Sequence, residues 1–357
     1  MLVRRLTLSQ FRSYERAELD PAPGLTVIIG RNGQGKTNLV EAIAYLSTLS
    51  SFRGVPSQVL IRDGAEASSL AIKIDTEGRA IDIETTIARR GPNKTVVNGQ
   101  RLTRSRDLLG SLRVTVFTPD DLELIKGGPS GRRNYLDELL VALRPSWDLV
   151  LTDLDRVLRQ RATLLKQSGG RLDGEVLSTL DVWDTRLAEL GTKLGEGRRQ
   201  LVAELSPLVA EAYGRLAGDH PPVQLVYDSP WMDVGLYDAL MSTRIDDARR
   251  GLTTVGPHRD ELRVELRHTP ARTHGSQGEQ QCLALALRLA GHQLVGERQG
   301  TPPILLLDDV FSELDPQRTA ALIANLPAGQ ALLTTAEKIP DQAQPELIVR
   351  VENGTLS

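Results

Sequence analysis

The chain of 357 residues contains one cysteine, Cys282, which excludes an internal disulfide framework and any cysteine-rich zinc site. No apolar run approaches the roughly eighteen residues that a membrane-spanning helix requires. The first residues, Met1-Leu2-Val3-Arg4-Arg5-Leu6, alternate like a strand and lack the apolar stretch of a signal peptide. Aromatic residues are scarce, at 4%, and none cluster, so stacking on nucleobases is not a theme of this chain. Positive charge is not in excess either: 43 Lys and Arg against 46 Asp and Glu give a net charge of −3, unlike a dedicated nucleic-acid binder. Contact with nucleic acid would then need local patches, or a surface completed by a second copy, and would address the backbone more than the sequence. What remains is a cytoplasmic protein, with 40% apolar and 25% charged residues, long enough for one large or two moderate domains.

Residues 1–30 read as strand, loop, strand, with Leu2 to Leu8 alternating and Leu25-Thr26-Val27-Ile28-Ile29 forming a buried β run that ends at Gly30. Residues 37–49 follow as a helix with Leu39, Val40, Ile43 and Leu46 on one face. Short strands dominate from about 57 to 117, and Asn98-Gly99 between two β-prone runs predicts a tight hairpin. After Gly127-Gly128-Pro129 the pattern changes to Leu- and Ala-rich helical spacing over 130–217, interrupted near Ser168-Gly169-Gly170. That spacing predicts two long antiparallel helical stretches, each roughly 50 Å long. A final block reads helix 276–298, strand 303–307, helix 315–325, strand 330–335 and strand 346–351. The expected organisation is an α/β core in two halves, 1–130 and 221–357, separated by a helical insertion lobe over 131–220.

Gly30-Arg31-Asn32-Gly33-Gln34-Gly35-Lys36-Thr37 is a complete G-x-x-x-x-G-K-T between a strand and a helix. Its glycines let backbone N–H groups turn inward around phosphates, and the helix N-terminus adds a favourable dipole. Lys36 is positioned for the β and γ phosphates of ATP, and the Thr37 hydroxyl for Mg2+. The run Ile304-Leu305-Leu306-Leu307-Asp308-Asp309 predicts a strand buried on both faces that delivers two carboxylates at its end. Asp308 is the candidate Mg2+ ligand, directly or through water, and Asp309 the candidate base or water-orienting group. Ser276-Gln277-Gly278-Glu279 opens a helix some thirty residues upstream of Asp308, with Ser276 at the capping position.

The order of these segments, closed by Ser312-Glu313-Leu314-Asp315, resembles the ABC-type ATPase head, a P-loop NTPase fold. Within that superfamily the chain resembles the RecF family and its SMC-type relatives, over almost its whole length. The resemblance is carried by Leu8 through Tyr14, Gly30 through Ile43, Ser51-Phe52-Arg53 and Pro129 through Asp137. It continues through Gly256-Pro257-His258-Arg259-Asp260, Ser276-Gln277-Gly278 and Leu307 through Asp315.

This resemblance implies an ATPase that uses ATP and Mg2+ at Gly30, Asn32, Gly33, Gly35, Lys36, Thr37 and Asn38, with Arg12 near the nucleotide. It implies that Ser276 and Gly278 contact the γ-phosphate held by a partner subunit, so that Ser276, Lys36 and Asp309 act together in catalysis. Asp315 would stand at that ATP-dependent homodimer interface. Arg53 resembles an SMC-head arginine that couples DNA to hydrolysis. RecO, RecR and RecA loading at gapped DNA are implied by the family. Three departures point to slow turnover: Asp309 where many such heads have Glu, Thr334-Thr335-Ala336 in place of a switch histidine, and no lid glutamine around Thr118-Pro119-Asp120-Asp121.

For DNA contact, Arg89, Arg90, Lys94, Arg101, Arg104 and Arg106 form a basic run with no acid among residues 89–106. Arg132 and Arg133 fit either DNA or ion pairs. His258 in a Gly-Pro turn, and Trp147, Trp183 and Trp231, are expected to be structural. A transporter ATPase subunit, a chromosome organiser with hundreds of coiled-coil residues, and a DNA clamp that does not hydrolyse ATP are the competing readings.

Overall fold

The computed structural model describes residues 1–76, 78–336 and 339–357. They fall into two compact units: Met1–Leu122, Glu211–His220 and Gln277–Ser357 form one, Glu123–Ala210 and Pro221–Ser276 the other.

The first unit opens with strands β1 (Leu2–Phe11), β2 (Tyr14–Leu19) and β3 (Leu25–Ile29), then helix α1 (Lys36–Thr48). Strands β4 (Ala67–Thr76), β5 (Arg79–Ala88), β6 (Lys94–Val97), β7 (Gln100–Arg101) and β8 (Val114–Phe117) follow. An antiparallel sheet runs β2-β1-β4-β5-β6-β7. Its strands bury one face, as Ser68, Leu70, Ile72 and Ile74 of β4 do, because side chains two apart share a face. In β1 the buried series changes phase from Val3 to Leu6, where a register irregularity falls between Val3 and Arg5. The Asn98-Gly99 turn forms as expected, with both residues at positive φ, 49° and 78°. The strands of this region are longer than expected: β4 and β5 each have ten residues.

The second unit contains α2 (Glu123–Lys126), α3 (Pro129–Leu143), α4 (Trp147–Ser168), α5 (Gly174–Ala217) up to Ala210, and α6 (Leu236–Arg250). Strands β9 (Val223–Asp228), β10 (Glu261–Leu266) and β11 (Thr269–Pro270) form an antiparallel sheet ordered β11-β10-β9, and α7 (Ala271–His274) follows. The helical region has three long pieces in place of the two expected. Arg144 is extended ahead of Pro145 and ends α3, since proline disfavours the helical conformation in the residue before it. The second break stands where expected, at Gly169 and Gly170, both at positive φ.

The expected boundaries also differ. Residues 221–276, assigned from sequence to the second half of the core, group with the helices. Side chains explain this: Arg132 forks onto Glu261 at 2.8 and 3.0 Å, and Arg198 forks onto Asp137 while donating to Pro257 O. Arg161, wholly buried, bridges Asp184 of α5 and Asp247 of α6 at 2.7 Å each.

The chain then returns to the first unit with α8 (Gln277–Gln299), β12 (Ile304–Asp308), α9 (Pro316–Ala324), β13 (Ala331–Thr335), β14 (Leu347–Glu352) and β15 (Thr355–Leu356). The second sheet runs β15-β14-β3-β13-β12-β8, parallel from β14 to β8. Every residue of β12 and β13 is buried, as strands covered on both faces require. Parallel pairing brings the ends of β3, β13 and β12 to one edge, with Thr335 beside Ile29 and Asp308 beside Thr334. Ligands of open α/β sheets bind at this carboxyl edge.

Candidate functional site

The loop from Gly30 to Gly35 leaves β3 at this edge. At Gly30 a Cβ would stand 2.4 Å from Val351 O, so only glycine fits. Gly35 has φ +112°, and a Cβ there would meet Ser13 Oγ at 2.6 Å. Lys36 donates to Gly30 O and Arg31 O at 2.7 and 3.1 Å. Burial lowers its pKa, while the carboxylates of Asp309 and Asp308 oppose that. Asn32 and Gly33 are exposed on the loop, and Gln34 Oε1 accepts from Asn353 N at 2.5 Å.

Thr37 Oγ1 donates to Asp308 Oδ1 at 3.0 Å, and Thr334 Oγ1 donates to the same oxygen at 2.8 Å. Oxygens adjacent on an octahedral Mg2+ with ligand distances of about 2.1 Å stand about 3 Å apart. Thr37 and Asp308 therefore fit two neighbouring places on the ion. Burial raises the Asp308 pKa, against the two threonine hydrogen bonds. Asp309 adopts φ 50° just past the strand, and its N–H donates to Thr334 Oγ1 at 3.0 Å. Thr334, at the expected switch position, thus holds both acids.

A turn between β1 and β2 clasps the loop from the other side. Tyr14 Oη donates to Gly35 O at 3.0 Å, and Asn38 Nδ2 donates to Ser13 Oγ at 3.0 Å. Arg12, at φ 51°, forks onto Glu41 at 2.8 and 2.9 Å. Glu41 lies on α1 with no exposure and also accepts from Ser51 Oγ at 2.5 Å. Arg53, half exposed, stands 3.8 Å from the same carboxylate. Sequence reasoning singled out Arg12, Arg53 and Asn38 but assigned nothing to Ser13, Tyr14, Glu41 or Ser51. The one available signal was the helical spacing of Thr37 and Glu41, four apart on one face.

Gly278 opens α8 against the Arg318 guanidinium, which a Cβ on that glycine would meet at 2.3 to 2.6 Å. Arg318 pairs with Asp315, whose Oδ1 also accepts from Arg318 N at 2.8 Å and so caps α9. Ser276 is exposed just before α8, and Cys282 is buried on that helix. In the lid segment Asp121 is buried, accepting from Thr118 N at 3.0 Å and from Arg288 of α8 at 2.8 and 2.9 Å. An aspartate therefore joins this segment to α8 where a glutamine was sought.

Arg89, Arg90, Lys94, Arg101 and Arg104 are exposed and Arg106 is half-buried. Arg89 donates to Ala65 O at 2.8 Å. The basic run is less pure than its sequence: β5 places Glu84 opposite Val96, with Lys94 opposite Thr86. Asp82 and Glu84 are both exposed on that neighbouring strand. Arg132 is committed to Glu261, and Arg133 donates to Asp260 O at 2.8 Å, so both join internal networks. His258 shares the Thr253 carbonyl with Arg259, and burial lowers its pKa to about 4. Trp231 donates to Asp260 Oδ1 at 2.7 Å from a buried position.

A phosphate loop at the carboxyl edge of a parallel sheet, its Thr37 hydroxyl set against Asp308, defines a P-loop nucleotide-binding head. The chain belongs to the family described as RecF/RecN/SMC N terminal domain, whose model matches residues 2–339. It is 43% identical to the DNA replication and repair protein RecF of Acidothermus cellulolyticus (strain ATCC 43068 / DSM 8971 / 11B), covering 96% of this chain and 95% of that one. It is 40% identical to the RecF of Clavibacter sepedonicus, covering 96% and 90%. A solved structure of the recombination mediator protein RecF with ATP, in the RecFOR pathway, matches with a TM-score of 0.91 at 27% identity over 99% of this chain and 96% of that one. An Smc head bound to the C-winged helix domain of ScpA matches with a TM-score of 0.62 at 18% identity over 100% and 96%, a likeness of fold alone. Within its family the chain stands with the RecF proteins.

Proposed function

We propose that this chain is an ATP-dependent DNA-binding factor of recombinational repair, acting in the cytoplasm. ATP closes two copies around two nucleotides, the closed pair holds DNA, and slow hydrolysis releases it. The observation that carries this reading is the Thr37–Asp308 oxygen pair beside the phosphate loop, in a chain with one such loop and one Ser-x-Gly segment, Ser276-Gln277-Gly278, at the start of the helix that precedes the Asp308 strand. Each site would take Lys36, Thr37, Asp308 and Asp309 from one copy and Ser276 and Gly278 from the other, giving a twofold pair.

In that site the loop amides and Lys36 would hold the phosphates, and Thr37 and Asp308 would hold Mg2+, whose charge would offset that of the phosphoryl group. Asp309 orients the attacking water and takes up its proton. Its short side chain, at the end of a left-handed turn, favours slow turnover. RecR and RecO are the proposed partners, with RecA loading at gapped DNA as the outcome. DNA contact is assigned to Arg53 and to the hairpin bearing Lys94, Arg101 and Arg104. A second reading, a DNA clamp without hydrolysis, rests on Asp309 alone, and timing phosphate release against DNA release separates the two.

The molar mass in solution, measured without nucleotide, with ATP, and with ATP and duplex DNA, tests the proposal. Doubling with ATP that disappears in Lys36→Ala supports it. A wild type that stays monomeric in all three conditions overturns the shared site.

A further inference from the structure

Arg318 is placed for more than the ion pair it makes. It lies in the first turn of α9, where its Nη1 donates to Asp315 Oδ2 and its backbone N donates to Asp315 Oδ1 at 2.8 Å. A pair three apart at a helix end stabilises that helix only slightly. The guanidinium also packs across the start of α8, so that a Cβ at Gly278 would clash with its Nη2, Cζ and Nη1 together. It reaches Cys282 as well, one turn further along α8, where burial raises the thiol pKa and Arg318 lowers it. The Arg318 side chain is nevertheless 33% exposed, and that of Asp315 44%. Gly278 is the second residue of a 23-residue helix, so its N–H is among the four that the helix itself leaves unsatisfied. An anion received at this end meets the helix dipole and the guanidinium together.

We propose that Arg318 is a catalytic residue that works in trans: in the closed pair its guanidinium touches the γ-phosphate held on the other copy's phosphate loop. The inference rests on the shared site proposed above, in which Gly278 faces that phosphate. In the step, the water oxygen joins the γ-phosphorus and the bond to the bridging oxygen of ADP breaks. Asp309 of the copy that holds the nucleotide takes the water's proton, and ADP and phosphate remain. The negative charge on the γ-oxygens is what an arginine supplied by a second chain offsets. Its planar fork holds two such oxygens at once, which a lysine ammonium does not. Asp315 keeps the group over Gly278 before the pair closes, so the side chain is already ordered when the phosphate arrives.

The test mixes variants of the full chain and reads phosphate release from ATP. Lys36→Ala damages the loop side of a copy and Arg318→Ala the side it lends, so each alone should lose about tenfold or more of the wild-type rate. Mixed one to one, about half of the pairs join the two variants, and each such pair keeps one complete site, so the rate should return to about a quarter of wild type. If Arg318 acts within its own copy, the mixture stays inactive, because the intact loop then sits beside the missing arginine. That outcome overturns the proposal. Lys36→Ala mixed with Ser276→Arg is the companion measurement: no recovery there brings down the shared site, and the inference with it. Recovery there without recovery for Arg318 strikes the inference alone. Arg318→Met separates charge from packing, since it covers Gly278 without a cation. It should lose as much as Arg318→Ala, with Arg318→Lys recovering part, and a Met variant near the wild-type rate overturns the charge contact.

Discussion

The Thr37 hydroxyl donates to Asp308 Oδ1 at 3.0 Å, joining the first turn of α1 to the end of β12, 271 positions away in sequence. Thr334, donating to the same oxygen from the neighbouring strand, makes the first prediction. Thr334→Val removes a hydrogen bond from Asp308 and the acceptor used by Asp309 N. ATP turnover should fall by about tenfold or more, equivalent to about 1.4 kcal/mol, with Thr334→Ser restoring it. Asp308 must be ionised to hold Mg2+, and burial already raises its pKa. Mg2+-dependent nucleotide binding should therefore weaken as pH falls, and do so at a higher pH in Thr334→Val. Binding titrations across pH check the direction.

His292 is buried and His258 half-buried, and desolvation lowers each from 6.5 to about 4. Both are neutral in the fold above about 4, whereas the unfolded chain takes up protons at 6.5. The unfolded state binds more protons in that window, so stability rises with pH from about 4 to 6.5 and is fully present above it. Each residue accounts for about 3 kcal/mol across the window. Urea midpoints should drop sharply in acid, and His292→Gln should flatten part of that slope. An unchanged slope would count against His292.

Asp315 both caps α9 and pairs with Arg318. Asp315→Asn should keep the cap and lose the pair, whereas Asp315→Ala should lose both, at about 1 kcal/mol more. Thermal unfolding separates the two variants. Their ATP-dependent mass tests whether Asp315 also lies at the proposed interface.

Removing Arg161 would leave the wholly buried Asp184 with Arg244 alone and the wholly buried Asp247 with no cation, only the Thr254 N–H and hydroxyl. Arg161→Met should cost about 3–5 kcal/mol in chemical denaturation. Arg161→Lys should recover little, because an ammonium cannot reproduce the planar fork that reaches both acids.

If the hairpin of Lys94, Arg101 and Arg104 contacts DNA, charge reversal at Arg101 and Arg104 should weaken binding and flatten its salt dependence. Neutralising Asp82 and Glu84 on β5 should strengthen binding. A salt slope unmoved by Arg101→Glu with Arg104→Glu would remove the hairpin from the DNA surface.

Much of the nucleotide site was legible because its signals are local. A β run, a glycine-rich loop and an amphipathic helix are contiguous between Leu25 and Thr48, and the aliphatic run before Asp308 marks a strand buried on both faces. The Asn98-Gly99 hairpin and the Gly169 break were legible for the same reason. Partnerships across long separations were not. Nothing near Glu41 announces that Arg12 and Ser51 will meet it, and nothing near Arg161 announces Asp247. Residues 221–276 alternate strand and helix like the rest of the core, and distant partners such as Arg132 with Glu261, and Leu165 and Leu180 with Ala248, draw them to the helices. The basic run looked pure because strand register, which sets Glu84 opposite Val96, is invisible in a linear count.

The turn between Phe11 and Tyr14 contains just Arg12 and Ser13, since Phe11 and Tyr14 are already paired across the strands. Both turn residues reach α1, Arg12 to Glu41 and Ser13 to Asn38. The hairpin therefore works as a ruler. Divergent members of the lineage can exchange side chains along these strands, but inserting or deleting one residue would shift Arg12, Ser13 and Tyr14 together. Gaps in alignments of this segment should be rarer than substitutions, and drift should alter its spelling before its length.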